Sequence, residues 1–185
     1  MKAYKVFSMR NGELYPPMVP NPDKAPTPIG KWIPASAAPI AGYTKTGRPY
    51  VLGYKGQRLA YRPGWHLGEL PIAEQFFRKD PESGEKILWP ENYVWAECEY
   101  ETEIDYQNEA MSYGYSENGK FRHSYAGLPY IPEGGFYRYR TNPNTQTATW
   151  IITGGMRVDR ILDWEEVCAI LKAHGLTPPK RTDEF

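Results

Sequence analysis

The chain carries little cysteine. Cys98 and Cys168 are the two in 185 residues; they form neither a CxxC pair nor a disulfide framework, so an oxidising compartment is not implied. Histidine is almost as scarce, with His66, His123 and His174 alone. No HxxxH spacing joins them, and no metal site is expected. No apolar run approaches the roughly 18 residues of a membrane span. The opening MKAYKVFSMRNGELY has no apolar signal region of about 7–15 residues. The expected location is therefore cytoplasmic, with no membrane partner. GxGxxG, GxxxxGKS/T and GxSxG are also missing from the sequence, which sets aside a P-loop enzyme and a nucleophile-elbow serine hydrolase.

What is abundant is aromatic and turn-forming: 15 Tyr and 6 Trp stand beside 18 Pro and 17 Gly. Tyr and Trp pair a flat apolar face with a polar tip, which suits half-wet cores and ring stacking alike. Hydrophobic residues make up 41% and charged residues 24%, a globular balance. The length fits one domain over residues 1–175, followed by an extended, mobile tail over 176–185. Net charge is zero, yet the charges are sorted. Residues 24–68 hold seven basic residues and no acid; residues 69–117 hold thirteen acids against Arg78, Lys79 and Lys86. Residues 118–160 turn basic again. Basic blocks that converge make a phosphate site; blocks that pair with the acidic one make a neutral surface.

AYKVFSMRNGELYP predicts a strand, a turn at Asn11-Gly12 and a return strand. Pro16 to Pro34 is a proline-rich wrap, ordered against a sheet with Trp32 and Ile33 as anchors. GYTKTGRPYVLGYKGQRLAY predicts a hairpin or an ordered basic loop. Leu59–Arg62 is extended because Pro63 follows, and Pro63-Gly64 fits the centre of a type II turn. A short strand, Trp65 to Gly68, then leads into a helix from Pro71 to about Lys79. NYVWAECEYE alternates, with Tyr93, Trp95, Glu97 and Glu99 on one face. YQNEAMSYG predicts one helical turn. GFYRYRTN is a second alternating strand, with TWIIT and MRVDRIL after it. The last helix has Asp163 as cap, Glu166 completing a capping box, His174 at its C-terminal end and Gly175 as stop. The fold class is α+β: one domain, a mainly antiparallel twisted sheet, two short helices and long loops.

Three constellations could carry chemistry. His66 lies opposite Trp65 in its strand, beside the turn after Arg62, where a histidine serves as acid or base or as a structural joint. Glu97 and Glu99 form a carboxylate row that stabilises developing positive charge or pairs with Arg138 and Arg140. FYRYRTNPN offers Tyr139, Arg140 and Thr141 as ring face and phosphate donors. His123 reads as a surface-loop residue, and His174 as a helix cap.

The blocks LAYRPGWHLGELPIA, VWAECEYETEIDYQNEA, GFYRYRTNPN and WIITGGMRVDRIL resemble an uncharacterised domain carried by gut-bacterial phages and mobile elements, found also in large multi-domain phage proteins. That resemblance covers most of residues 4–175, brings no established activity, and implies a host bacterial cytoplasm. The order YKVFSMR, GWHLGELPIAEQF, YVWAECEY, WIITGGMRVDRI also looks like small ADP-ribosyltransferases, in which the Gly–aromatic–His strand and the elements after it build the NAD cleft. That likeness implies NAD as cofactor, with His66 and the candidate catalytic residues Glu97 and Glu99. Arg62, Trp65, Tyr139, Arg140 and Thr141 would hold the nucleotide. Departures are the lack of a clear first-strand His or Arg-Gly motif. Two alternatives stand beside it. One is a non-catalytic binding or inhibitor protein directed at a host factor or a nucleotide ligand. The other is a metal-independent RNase similar to barnase/EndoU-like phage nucleases, acting on nucleic acid through His66, Arg140 and Thr141.

Overall fold

The computed structural model describes residues 1–113, 116–117, 120–121, 127–140 and 149–181, the backbone alone at 116–117 and 120–121. Strand β1 (Lys2–Arg10) turns back into β2 (Glu13–Tyr15) through Asn11 and Gly12, both at positive φ. Then come β3 (Trp32–Pro34), the three-stranded meander β4 (Gly42–Tyr43), β5 (Pro49–Leu52) and β6 (Arg58–Ala60), and β7 (Trp65–Gly68). Next are β8 (Arg78–Lys79), β9 (Lys86–Trp89), β10 (Tyr93–Tyr100), β11 (Ile104–Asp105), α1 (Gln107–Ser112) and the short pair β12 (Ser116–Glu117) and β13 (Lys120–Phe121). The chain closes with β14 (Gly135–Tyr139), β15 (Trp150–Thr153), β16 (Gly155–Ile161), α2 (Trp164–Ala173) and β17 (Lys180–Arg181). This is an α+β body built on a nine-stranded sheet in the order β11-β14-β15-β7-β1-β10-β16-β3, with β2 also on β1. All its pairs are antiparallel except β11 with β14.

Both faces of the sheet are covered, as the strand alternation requires. Tyr4, Val6, Trp95, Tyr137, Tyr139, Trp150 and Ile152 face one core, which includes Val167 and Leu171 of α2. Ala3, Phe7, Leu67, Cys98, Phe136, Ile151, Met156 and Val158 face the other. Trp89 centres the first core: its ring stacks on Trp95 at 5.5 Å and Trp164 at 6.4 Å, with Phe76 and Phe77 edge-on. Helix α2 opens on the Asp163/Glu166 capping box, and His174 Nδ1–H donates to the Ile170 carbonyl at 2.8 Å.

Four expectations are corrected. The helix over Pro71–Lys79 is a single 3-10 turn, Glu74–Phe76. Ala73 leaves helical geometry at φ −149°, and Arg78 and Lys79 instead pair with β9. Phe76 ends the 3-10 turn and Phe77 leaves it in extended geometry, and both rings reach Trp89 edge-on. The Glu97/Glu99 row does not meet Arg138 or Arg140, because β15, β7 and β1 lie between β10 and β14. Trp32 is 52% exposed rather than an anchor; the wrap is held by the β3–β16 ladder and by Thr27 N–H to the Leu14 carbonyl at 2.7 Å. Finally, residues 176–181 return to the body, with Leu176 against the core and β17 parallel to β9.

The main sheet is nearly two sheets. β1 and β10 share seven aligned pairs, from Lys2↔Glu99 to Ser8↔Tyr93, while β1 and β7 share one, Tyr4↔Gly68. Beyond that pair the two strands part.

Candidate functional site

Gly68 is required at the junction: a Cβ there would meet the Leu70 carbonyl oxygen at 2.7 Å and the Tyr4 carbonyl oxygen at 3.7 Å. Where β1 and β7 separate, a cavity of about 1150 Å³ opens. Its walls include Lys5 and Val6 from β1, Arg62 to His66 from the turn and β7, and Tyr139 and Trp150 from the neighbouring strands. Phe76, Phe77 and residues 177–180 close one side; Pro16 to Asn21 close another. The β7 joint is thus the edge of a concave site, not a buried corner.

His66 is fully engaged within it. Its Nε2 lies 2.8 Å from the Arg62 carbonyl and its Nδ1 3.1 Å from the Tyr139 hydroxyl. A carbonyl only accepts, so Nε2 carries the proton and Nδ1 accepts from the Tyr139 O–H. Burial pushes the His66 pKa down to about 4 and raises that of Tyr139, so the imidazole is neutral and the phenol keeps its proton. Gly64 completes the turn at φ 135°, and a Cβ there would strike Ile152 Cγ2. The Arg62 guanidinium lies 4.6 Å from the centroid of the Tyr139 ring. Trp65 Nε1–H donates to the Ile33 carbonyl at 3.0 Å, which ties the proline-rich wrap to β7.

Of the residues singled out from the sequence, Arg62, Trp65, His66 and Tyr139 come together on this cavity. Glu97 and Glu99 do not line it. Glu97 accepts from Lys2 Nζ at 2.7 Å and has Arg160 at 3.7 Å, while Glu99 accepts from the Met1 amine at 2.8 Å. Arg138 pairs with Glu69 at 2.8 Å. Arg140 is exposed and off the cavity; Thr141 and His123 lie outside the described residues. Among the described residues, the carboxylates on the cavity wall are Glu74 and Glu85.

Two wall residues were missed. Lys5 is 6% exposed, with its Nζ–H donating to the His66 carbonyl at 3.0 Å between the rings of Phe7 and Trp65. Burial lowers its pKa to about 8. Its signal was present: Ala3, Lys5 and Phe7 form an apolar face interrupted by one cation. Trp150 is the second. Its buried indole N–H has no acceptor among the described residues, and no sequence pattern marks that. Chemically, the cavity offers aromatic walls, one unmatched donor and cations at Lys5, Arg62, Lys86 and Lys180. No protein-family model, curated protein or solved structure matches the chain.

Proposed function

We propose that the protein is a phage- or mobile-element-encoded binding protein whose cavity takes a nucleotide-type ligand, a flat ring bearing acceptors joined to an anionic group. The observation that carries this is Trp150 Nε1. A buried donor without a partner costs about 1–3 kcal/mol, and an acceptor on a bound ring removes that penalty. Tyr61, Trp65, Phe76 and Tyr139 supply faces for the ring, and Arg62, Lys86 and Lys180 supply charge for the anion. His66 supports binding over catalysis, since both ring nitrogens are already bonded within the protein. The assignment to phages rests on the four resembling blocks, three of which contribute residues to the cavity wall.

A second reading, an ADP-ribosyltransferase-like enzyme using NAD, is favoured by the cavity's position at the Gly-Trp-His strand and the segment that follows it. In that reading Glu74 or Glu85 would have to act at the ribose, because those carboxylates border the cavity.

The test is thermal unfolding with NAD, ADP-ribose, AMP and short oligonucleotides. A ligand that binds only the folded state adds about 2.7 kcal/mol at a hundredfold excess over its Kd. A nucleotide is expected to raise the midpoint, and Trp150→Phe is expected to weaken its affinity about 2–10-fold through one lost hydrogen bond. An unchanged midpoint across the panel refutes nucleotide binding. Release of nicotinamide from NAD would favour the transferase.

A further inference from the structure

Lys5 stands apart from every other cation described. It is buried in the gap where β1 and β7 separate, it lines the cavity beside Trp65 and His66, and no carboxylate pairs with it among the described residues. Its surroundings are Phe7 on β1, Trp65 and the His66 carbonyl on β7, and Cys98 on β10. The titratable groups among these are neutral near pH 7: burial holds the Cys98 thiol up to about 12 and His66 down to about 4. Arg62 acts on His66 from the β7 side, and Asp159 and Glu97 act on Cys98 from the β10 side. A buried ammonium without a counterion is costly, so the site holds a larger share of free amine than a surface lysine does. The free amine is the nucleophilic form.

We propose that Lys5 is a covalent anchor in this cavity, its amine forming an imine with an aldehyde or ketone borne by a ring-containing ligand. The nitrogen lone pair attacks the carbonyl carbon and the nitrogen's proton moves to the carbonyl oxygen, giving a carbinolamine. Loss of that oxygen as water then leaves the C=N bond. Aromatic walls hold the body of the ligand, and the closed Phe7–Trp65 slot limits water at the new bond. This goes beyond nucleotide binding and does not depend on it, requiring only that a carbonyl compound reach the cavity.

Burial sets the rate advantage. With a pKa of about 8, roughly a quarter of Lys5 is free amine at pH 7.5, against roughly one part in a thousand for an ordinary lysine near 10.4.

The full chain is incubated at pH 7.5 with benzaldehyde and, separately, with pyridoxal 5′-phosphate, each with cyanoborohydride to reduce the imine. Adducts are located by fragment-ion mass spectrometry, which separates Lys5 from Lys2 and from the Met1 amine. Lys5 is expected to be labelled at least tenfold faster than the mean of the other lysines, with a pH midpoint near 8. Lys5→Met should lose that adduct and leave surface labelling unchanged; Lys5→Arg serves if Lys5→Met does not fold by circular dichroism. Labelling of Lys5 no faster than surface lysines, in protein shown to be folded, overturns the proposal. Rapid Lys5 labelling with no nucleotide-induced shift would keep this inference and remove the nucleotide one.

Discussion

Replacing His66 by glutamine should make the protein less sensitive to acid. In the folded protein burial holds the imidazole pKa at about 4, against an ordinary 6.5. Between those values the unfolded chain binds the proton and the folded one does not, so stability falls as pH drops through that window. At 1.36 kcal/mol per pH unit the full effect is about 3 kcal/mol, of which roughly 2.5 kcal/mol develops between pH 7 and pH 4.5. Glutamine does not titrate. Its amide N–H can donate to the Arg62 carbonyl, and its oxygen can accept from the Tyr139 hydroxyl, so the variant keeps the wiring of the joint. Carboxylate titration is common to both proteins and cancels in the comparison. Urea unfolding at steps from pH 7 to pH 4.5 should show wild type losing roughly 2.5 kcal/mol more than His66→Gln. Parallel stability curves would refute the buried, neutral state of His66 and return it to the pool of candidate acid–base groups.

Asp163→Ala should cost about 0.5–2 kcal/mol by removing half of the α2 capping box, read as a lower urea midpoint with an unchanged slope. Gly64→Ala should cost about 1–3 kcal/mol, since φ at 135° is strained for any side chain and the new methyl meets Ile152; an unaltered melting temperature would mean that the turn relaxes freely. Removal of residues 176–185 should lower stability by about 1–2 kcal/mol through loss of the Leu176 contact and the β17–β9 pairing, measured by calorimetry.

Local features were legible in the chain. The Asn11-Gly12 turn, the alternation of β10 and β14 and the capping box of α2 each depend on neighbours in sequence, and each is present. Adjacency of strands was not. Alternation tells which side chains share a face but not which strand lies beside which, so it suggests Arg138 and Arg140 for Glu97, whose partners are Lys2 and Arg160. The same limit hid the gap between β1 and β7, and with it the roles of Lys5 and Trp150. Arg62 and His66 were found because four residues and a turn hold them together; Tyr139 joins them only through β15.

The placement of β1 at the centre of the sheet has a consequence for the nascent chain. Met1 and Glu99, joined in the folded protein, are 98 residues apart, so at about 5–20 residues per second β1 waits about 5–20 s for its main partner to be synthesised. In that interval β2, and later β7 through one pair, can cover it, and the edge that β10 will take is open to pairing with another chain. Lys5 sits in the middle of that strand, among Ala3, Val6 and Phe7. In water it is ionised, and a charge at the centre of an unpaired apolar strand opposes stacking on a second copy. The proton that protects the strand on the ribosome is one that burial later makes easier to release.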